Sequence, residues 1–133
     1  MHNTKTMSKL EKEFVPYEQA LELNELGFNE ECFAFYDYYR KGTPLKIYDS
    51  QSDCSGEPAP LYQQAFRWFR EKYNLFSHIV REKGLNEGKI NYIGIYHKIS
   101  ERGNSPQNTC ISHDTYEEAE LACLKKLIEI VKE

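Results

Sequence analysis

Cys110 and His113 form the sharpest metal-type spacing in this sequence, two ligand side chains in a C-x-x-H arrangement. Zinc takes four ligands, or three plus water, and structural sites usually draw them from two tight local pairs. The second pair is missing, because Cys32, Cys54, His78 and His97 are isolated from one another. Cys110 and His113 are therefore the only metal candidates, and the expectation is no metal and no other cofactor. A thiol nucleophile would need a nearby base and a lowered pKa. Cys54 sits beside Asp53, whose charge opposes thiolate formation, and Cys123 falls on the apolar face of an expected helix. Carboxylates pair up at Glu30–Glu31, at Glu117–Glu118 and at Asp49 with Asp53. Acidic groups at a helix start serve its dipole, and no spacing among them singles out an acid and a base. No P-loop, GxGxxG, HExxH or GxSxG motif occurs. Catalysis is not the expectation.

Composition narrows the remaining classes. The 133 residues suit one domain, and their 40% hydrophobic and 14% aromatic content, including ten Tyr, excludes general disorder. The net charge of -4, from 21 acidic and 17 basic residues, rules out a chain-wide basic footprint for nucleic acid. No run of apolar residues is long enough to span a bilayer, and the Lys-containing start has no apolar segment behind it. The cytoplasm is the expected compartment, with reduced thiols and no membrane partner.

The elements follow from periodicity and punctuation. Residues 1–13 read as a disordered tail, and residues 14–133 as one domain, with 14–50 and 59–133 as its candidate sub-units. Pro16 opens a helix that carries Tyr17, Ala20, Leu21, Leu23 and Leu26 and stops at Gly27, with Phe28 folding back on the last turn. The aromatic alternation of Cys32–Tyr39 and the segment "LKIYDS" form an expected hairpin. Residues 51–60, "QSDCSGEPAP", read as the clearest loop. A second helix places Tyr62, Ala65, Phe66, Phe69 and Tyr73 on one stripe, with Leu61 and Trp68 on its flank, and Asn74 follows as its C′ residue.

Two strands then flank "KGLNEG", which suits a hairpin loop. In the second of them Ile93, Ile95, His97 and Ile99 share one face, while Tyr92, Tyr96 and Lys98 line the other. "NTCIS" is an expected short third strand. The last helix opens with a capping box, either Thr115 with Glu118 or Asp114 with Glu117. Its apolar face carries Tyr116, Ala119, Cys123, Leu124, Leu127, Ile130 and Val131. The result is an α+β fold of order α-ββ-α-ββ(β)-α, a mostly antiparallel sheet covered by three helices.

The stretch "APLYQQAFRWFREKYNL" interleaves rings with Arg, as a base-stacking platform does. On a helical wheel, however, rings and guanidinium groups point to opposite sides, which reads as core rather than platform. From Pro60 onward the order α-β-β-β-α is similar to that of double-stranded-RNA-binding domains, which grip phosphates through a basic cluster at the start of the last helix. Here that place reads "SHDTYEEAE" and is acidic, so the likeness stops at topology. The basic candidates for a nucleic-acid alternative are Arg67, Arg70, Lys72, Arg81 and Lys83. Tyr is enriched in protein-binding hot spots, which makes Tyr36, Tyr38, Tyr39, Tyr48, Tyr92, Tyr96 and Trp68 the candidates for a protein interface.

Three segments, "FVPYEQALELNELGF", "APLYQQAFRWFREKY" and "TYEEAELACLKKLIEIVKE", resemble a group of short uncharacterised proteins encoded by bacteriophages, prophages and gut bacteria. The resemblance implies an intracellular, mobile-element setting and assigns no catalytic residue. The expectation is a small non-enzymatic protein that binds a protein partner. The alternatives carried with it are an RNA- or DNA-binding module, a thiol- or metal-dependent enzyme, and self-association through an open sheet edge.

Overall fold

Pro16 cannot donate a backbone hydrogen bond and is already held at φ −60°, so it can precede a helix without loss. The helix it introduces, α1 (Tyr17–Glu25), ends as the sequence demands. Gly27 takes φ 103° and donates to the Asn24 carbonyl, while the Phe28 N–H donates to Leu23 O at 2.9 Å. Leu23 and Phe28 are both buried, which completes a Schellman motif with its apolar contact. These elements belong to a computed structural model that describes residues 10–37, 45–47, 56–83, 88–100, 102–104 and 106–133.

The described elements continue as β1 (Ala34–Asp37), β2 (Lys46–Ile47), β3 (Gly56–Ala59), α2 (Tyr62–Tyr73), β4 (Leu75–Lys83), β5 (Ile90–Ser100), β6 (Gly103–Asn104), β7 (Asn108–Thr109) and α3 (Tyr116–Lys132). The fold class is α+β, with two antiparallel sheets ordered β2-β1-β3 and β4-β5-β6, and with β7 also paired to β5. No helix among the described residues is long and apolar enough to cross a membrane. The chain divides into two compact units, Met1–Ala65 and Phe66–Glu133. That division falls inside α2.

In the first unit, Phe14, Ala34, Leu45 and Ala59 form a buried cluster with Tyr36 and Leu61 packed against it. Two expectations change here. Residues 56–59 are a strand, not loop: β3 pairs antiparallel with β1, from Ala34 opposite Ala59 to Asp37 opposite Gly56. Gly and Pro density signals a turn when no partner strand is available. β1 supplies that partner, and Pro58 is tolerated because β3 is the outer strand of its sheet among the described residues. Residues 10–13, expected to close the tail, are held by backbone contacts. The Glu13 N–H donates to Leu10 O, the Tyr62 N–H donates to Glu13 O, and Phe14 bridges to Leu61. Residues 1–9 lie outside the described residues. Glu57, on β3, is buried and accepts from Asn24 Nδ2 through both carboxylate oxygens, at 3.1 and 3.3 Å.

In the second unit, α3 lies on the β4–β5 hairpin and buries Ala119, Cys123, Leu124, Leu127 and Ile128. A Cβ built on Gly94 would stand 2.9 Å from the Cys123 Cβ, so the missing side chain is the hole that α3 fills. Side chains alternate along a strand. The face turned to α3 therefore carries Ile90, Tyr92, Gly94 and Tyr96, and the opposite face carries Ile93, Ile95, His97 and Ile99. His97 stands opposite Phe76 and stacks on its ring at 5.8 Å. Its Nδ1 is buried and has no hydrogen-bond partner among the described residues.

The α2 stripe is partly redrawn. Trp68 is 7% exposed and Phe69 0%, while Phe66 is only half-buried. The buried arc thus turns toward Trp68 by about one residue. Asn74 takes φ 54° and ends the helix as expected, and its carbonyl accepts from the Ile99 N–H at 2.9 Å.

Thr115 decides between the two capping registers. It lies in extended backbone, and its Oγ1 accepts from the Glu118 N–H at 3.2 Å and donates to Glu118 Oε1 at 2.8 Å. Asp114 instead pairs with Lys89, Nζ to Oδ1 3.1 Å. Thr115→Ala is expected to destabilise the fold by about 1 kcal/mol, the usual cost of a lost N-cap. Urea denaturation compared with Asp114→Ala measures it, and equal small losses in the two variants would disprove the Thr115 assignment.

Candidate functional site

The candidate site lies at the end of the second unit where β5 begins and α3 starts. Tyr92 and His113 exchange backbone hydrogen bonds, each N–H donating to the other's carbonyl at 2.9 Å. This isolated bridge holds the segment between β7 and α3 against the strand and places Tyr116 on the first turn of the helix. The Tyr92 and Tyr116 rings meet edge to face, with centroids 5.9 Å apart and planes at 78°. On the two segments that this bridge joins, Ile111 is 81% exposed, Tyr116 45% and Ile90 39%. Exposed isoleucine and tyrosine side chains on joined segments offer apolar surface with polar tips.

A cleft of about 360 Å³ adjoins this surface. Tyr96, Thr109, Cys110, Ile111 and His113 form one wall, with Ala122, Lys125, Lys126 and Glu129 of α3 as the other. Tyr92 and Tyr96 flank Gly94 on β5, so the helix that sinks at Gly94 leaves one ring on each side. Cys110 and His113, three positions apart in sequence, do line the same cleft. Among the described residues no group of three His, Cys, Asp or Glu could hold a metal ion. Burial pushes the Cys110 thiol above its ordinary pKa, against the nearby Lys126 charge and a hydrogen bond from Cys123. That is the opposite of an activated nucleophile.

The interface candidates separate into three groups. Tyr92 and Tyr96 share one face of β5, one on each side of Gly94, and both are half-buried. Tyr36 and Trp68 are placed in packing instead. The Tyr36 hydroxyl donates to Val15 O at 2.8 Å, its ring meets Tyr17 at 5.5 Å, and burial raises its pKa to about 12. Trp68 is covered, in edge contact with Phe69 at 5.1 Å and Tyr73 at 5.5 Å. Tyr38, Tyr39, Tyr48 and Cys54 lie outside the described residues.

The basic candidates are dispersed. Arg67 Nε pairs with Glu71 at 3.5 Å, and the Lys72 ammonium lies 5.0 Å over the Trp68 ring and 5.5 Å over Tyr73. Arg70 is half-buried, and Arg81 and Lys83 are exposed at the far end of β4. Asp114, Glu117 and Glu118 are exposed where a double-stranded-RNA-binding domain would carry its cations.

Two site residues escaped the sequence reading. Ile111 was expected inside a short strand, but β7 ends at Thr109. The available signal was an isoleucine in a polar segment with no apolar residue two positions away. Tyr116 was assigned to the buried helix face. A residue in the first turn leans toward the helix N-terminus, beyond the sheet that covers the later turns. Comparison with protein-family models, with curated proteins and with solved structures finds no match to this chain.

Proposed function

We propose that this chain is a small non-catalytic module that binds a protein partner through the surface of Ile90, Tyr92, Ile111 and Tyr116. The observation that carries the reading is the exposure of Ile90, Ile111 and Tyr116 on segments that the Tyr92–His113 bridge and the Tyr92–Tyr116 ring contact hold together. Tyr offers a large, rigid contact area with a hydrogen-bonding tip, which suits the centre of an interface. The neighbouring carboxylates of Asp114, Glu117 and Glu118 favour a partner with an apolar centre and a basic rim. The resemblance of the three segments to proteins of phages and prophages supports a setting in which that partner is a host or phage protein.

Ile111→Asp and Tyr116→Ala test this reading. Both side chains are exposed, so the thermal melting curve is expected to stay where it is. Capture of the partner from host lysate is expected to fall by at least about tenfold, the loss of a central contact. Capture equal to that of the unmodified chain would rule the surface out.

A further inference from the structure

Cys110 and Cys123 were read separately from the sequence, one as half of a metal pair and the other as core. The fold brings them together. Gly94 leaves an opening on β5 into which both sulfurs project, 3.2 Å (Cys123) and 3.5 Å (Cys110) from where a Cβ would stand. The Cys110 N–H donates to the Gly94 carbonyl at 2.8 Å, which fixes the backbone of that thiol against the strand. The two thiols hydrogen-bond to each other, and Ser77 also hydrogen-bonds to Cys123. Cys123 is fully buried on α3, whereas Cys110 is partly exposed on the wall of the cleft. Both are free thiols.

We propose that Cys110 and Cys123 form a dithiol site that a low-molecular-weight disulfide entering the cleft oxidises to an intramolecular disulfide. The Cys110 thiolate attacks one sulfur of that disulfide. Its S–S bond breaks, and the first small thiolate leaves and takes a proton from water. Cys123 sulfur then attacks the Cys110 sulfur of the mixed disulfide, and the second small thiolate departs with the proton that Cys123 gives up. Two protein thiols are oxidised and one small disulfide is reduced to two thiols. The order of attack follows from access, since only Cys110 faces the cleft. It also follows from electrostatics: Lys126 and the hydrogen bond from Cys123 favour charge on Cys110, while burial pushes Cys123 up to about 12. Burial raises the Cys110 thiol too, so the reaction is a slow stoichiometric one that speeds up with pH. The bond would join the segment carrying Ile111 to α3.

The test uses the full chain in a Cys32→Ser, Cys54→Ser background, incubated folded with oxidised glutathione. The expected product is a monomer lighter by two hydrogens, with Cys110 and Cys123 in one crosslinked peptide and initial rates rising about tenfold per pH unit between pH 7 and 9. Cys123→Ala is expected to stop at a glutathione adduct on Cys110, and Cys110→Ser to leave Cys123 unmodified. The mapping on the background chain does not depend on either variant folding. No crosslinked peptide, a disulfide between chains, or modification of Cys123 in Cys110→Ser at an undiminished rate would overturn the proposal.

Discussion

Phe69→Ala is expected to destabilise the protein by about 3–5 kcal/mol, the usual cost of removing a fully buried phenyl ring. Phe69 has no exposed surface, and it touches two further rings, Trp68 at 5.1 Å and Tyr73 at 6.1 Å. Truncation removes apolar burial and edge contacts together. It leaves a cavity that the surrounding structure closes only in part. Phe66→Ala is expected to cost clearly less, because Phe66 is only half-buried. Trp68 is the single tryptophan of the chain, so its fluorescence during urea denaturation reports on this environment directly. Equal losses for Phe66→Ala and Phe69→Ala would show that the buried arc of α2 is misplaced.

Gly56→Ala is the second large effect, expected at about 3 kcal/mol, the upper end of the range for overpacking. A Cβ at Gly56 would overlap the Tyr36 carbonyl oxygen and the Phe35 ring. The carbonyl belongs to the paired strand β1, so it cannot rotate away as a side chain would. Relief requires moving β3 from β1, which exposes Ala59 and disturbs the buried Glu57–Asn24 contact. Gly94→Ala meets side-chain atoms instead, Cys123 Cβ at 2.9 Å and Sγ at 3.2 Å, and is expected to cost less. Amide exchange of Ala34–Asp37 is the readout, and protection unchanged by Gly56→Ala would contradict the β1–β3 pairing.

Those two glycines show where the sequence was legible and where it was not. Elements with a local cause were readable. α1 ends at Gly27 because the chain needs a left-handed residue there, and Asn74 ends α2 for the same reason. β5 spans Ile90–Ser100, the bounds its alternation implies, and its two faces divide as expected. Thr115 was one of two capping registers, and only the Lys89–Asp114 pair and the Glu118 contacts separate them. Elements with a distant cause were not readable. β3 exists because β1 lies beside it, and nothing in "GEPA" announces a partner some twenty residues earlier.

The candidate site follows the same division. Tyr92 and Tyr96 could be placed on one strand face from their spacing alone. The pairing of Tyr92 with Tyr116 goes with the backbone bridge between Tyr92 and His113, which joins residues far apart in sequence. The meeting of Cys110 with Cys123 likewise depends on Gly94 pairing next to one and packing against the other. Trp68 was ambiguous on the wheel, at the border of the apolar stripe. A tertiary fact decides it, since the ring is covered.

The protein-binding reading is tested most directly by photo-crosslinking inside cells from a photoreactive residue placed at position 111. The same residue at position 82, exposed on β4, serves as the control. The account predicts a discrete protein adduct from position 111 that is absent from position 82 and is lost when Tyr116→Ala is added. No adduct from position 111, the same adducts from both positions, or adducts to nucleic acid alone would contradict it.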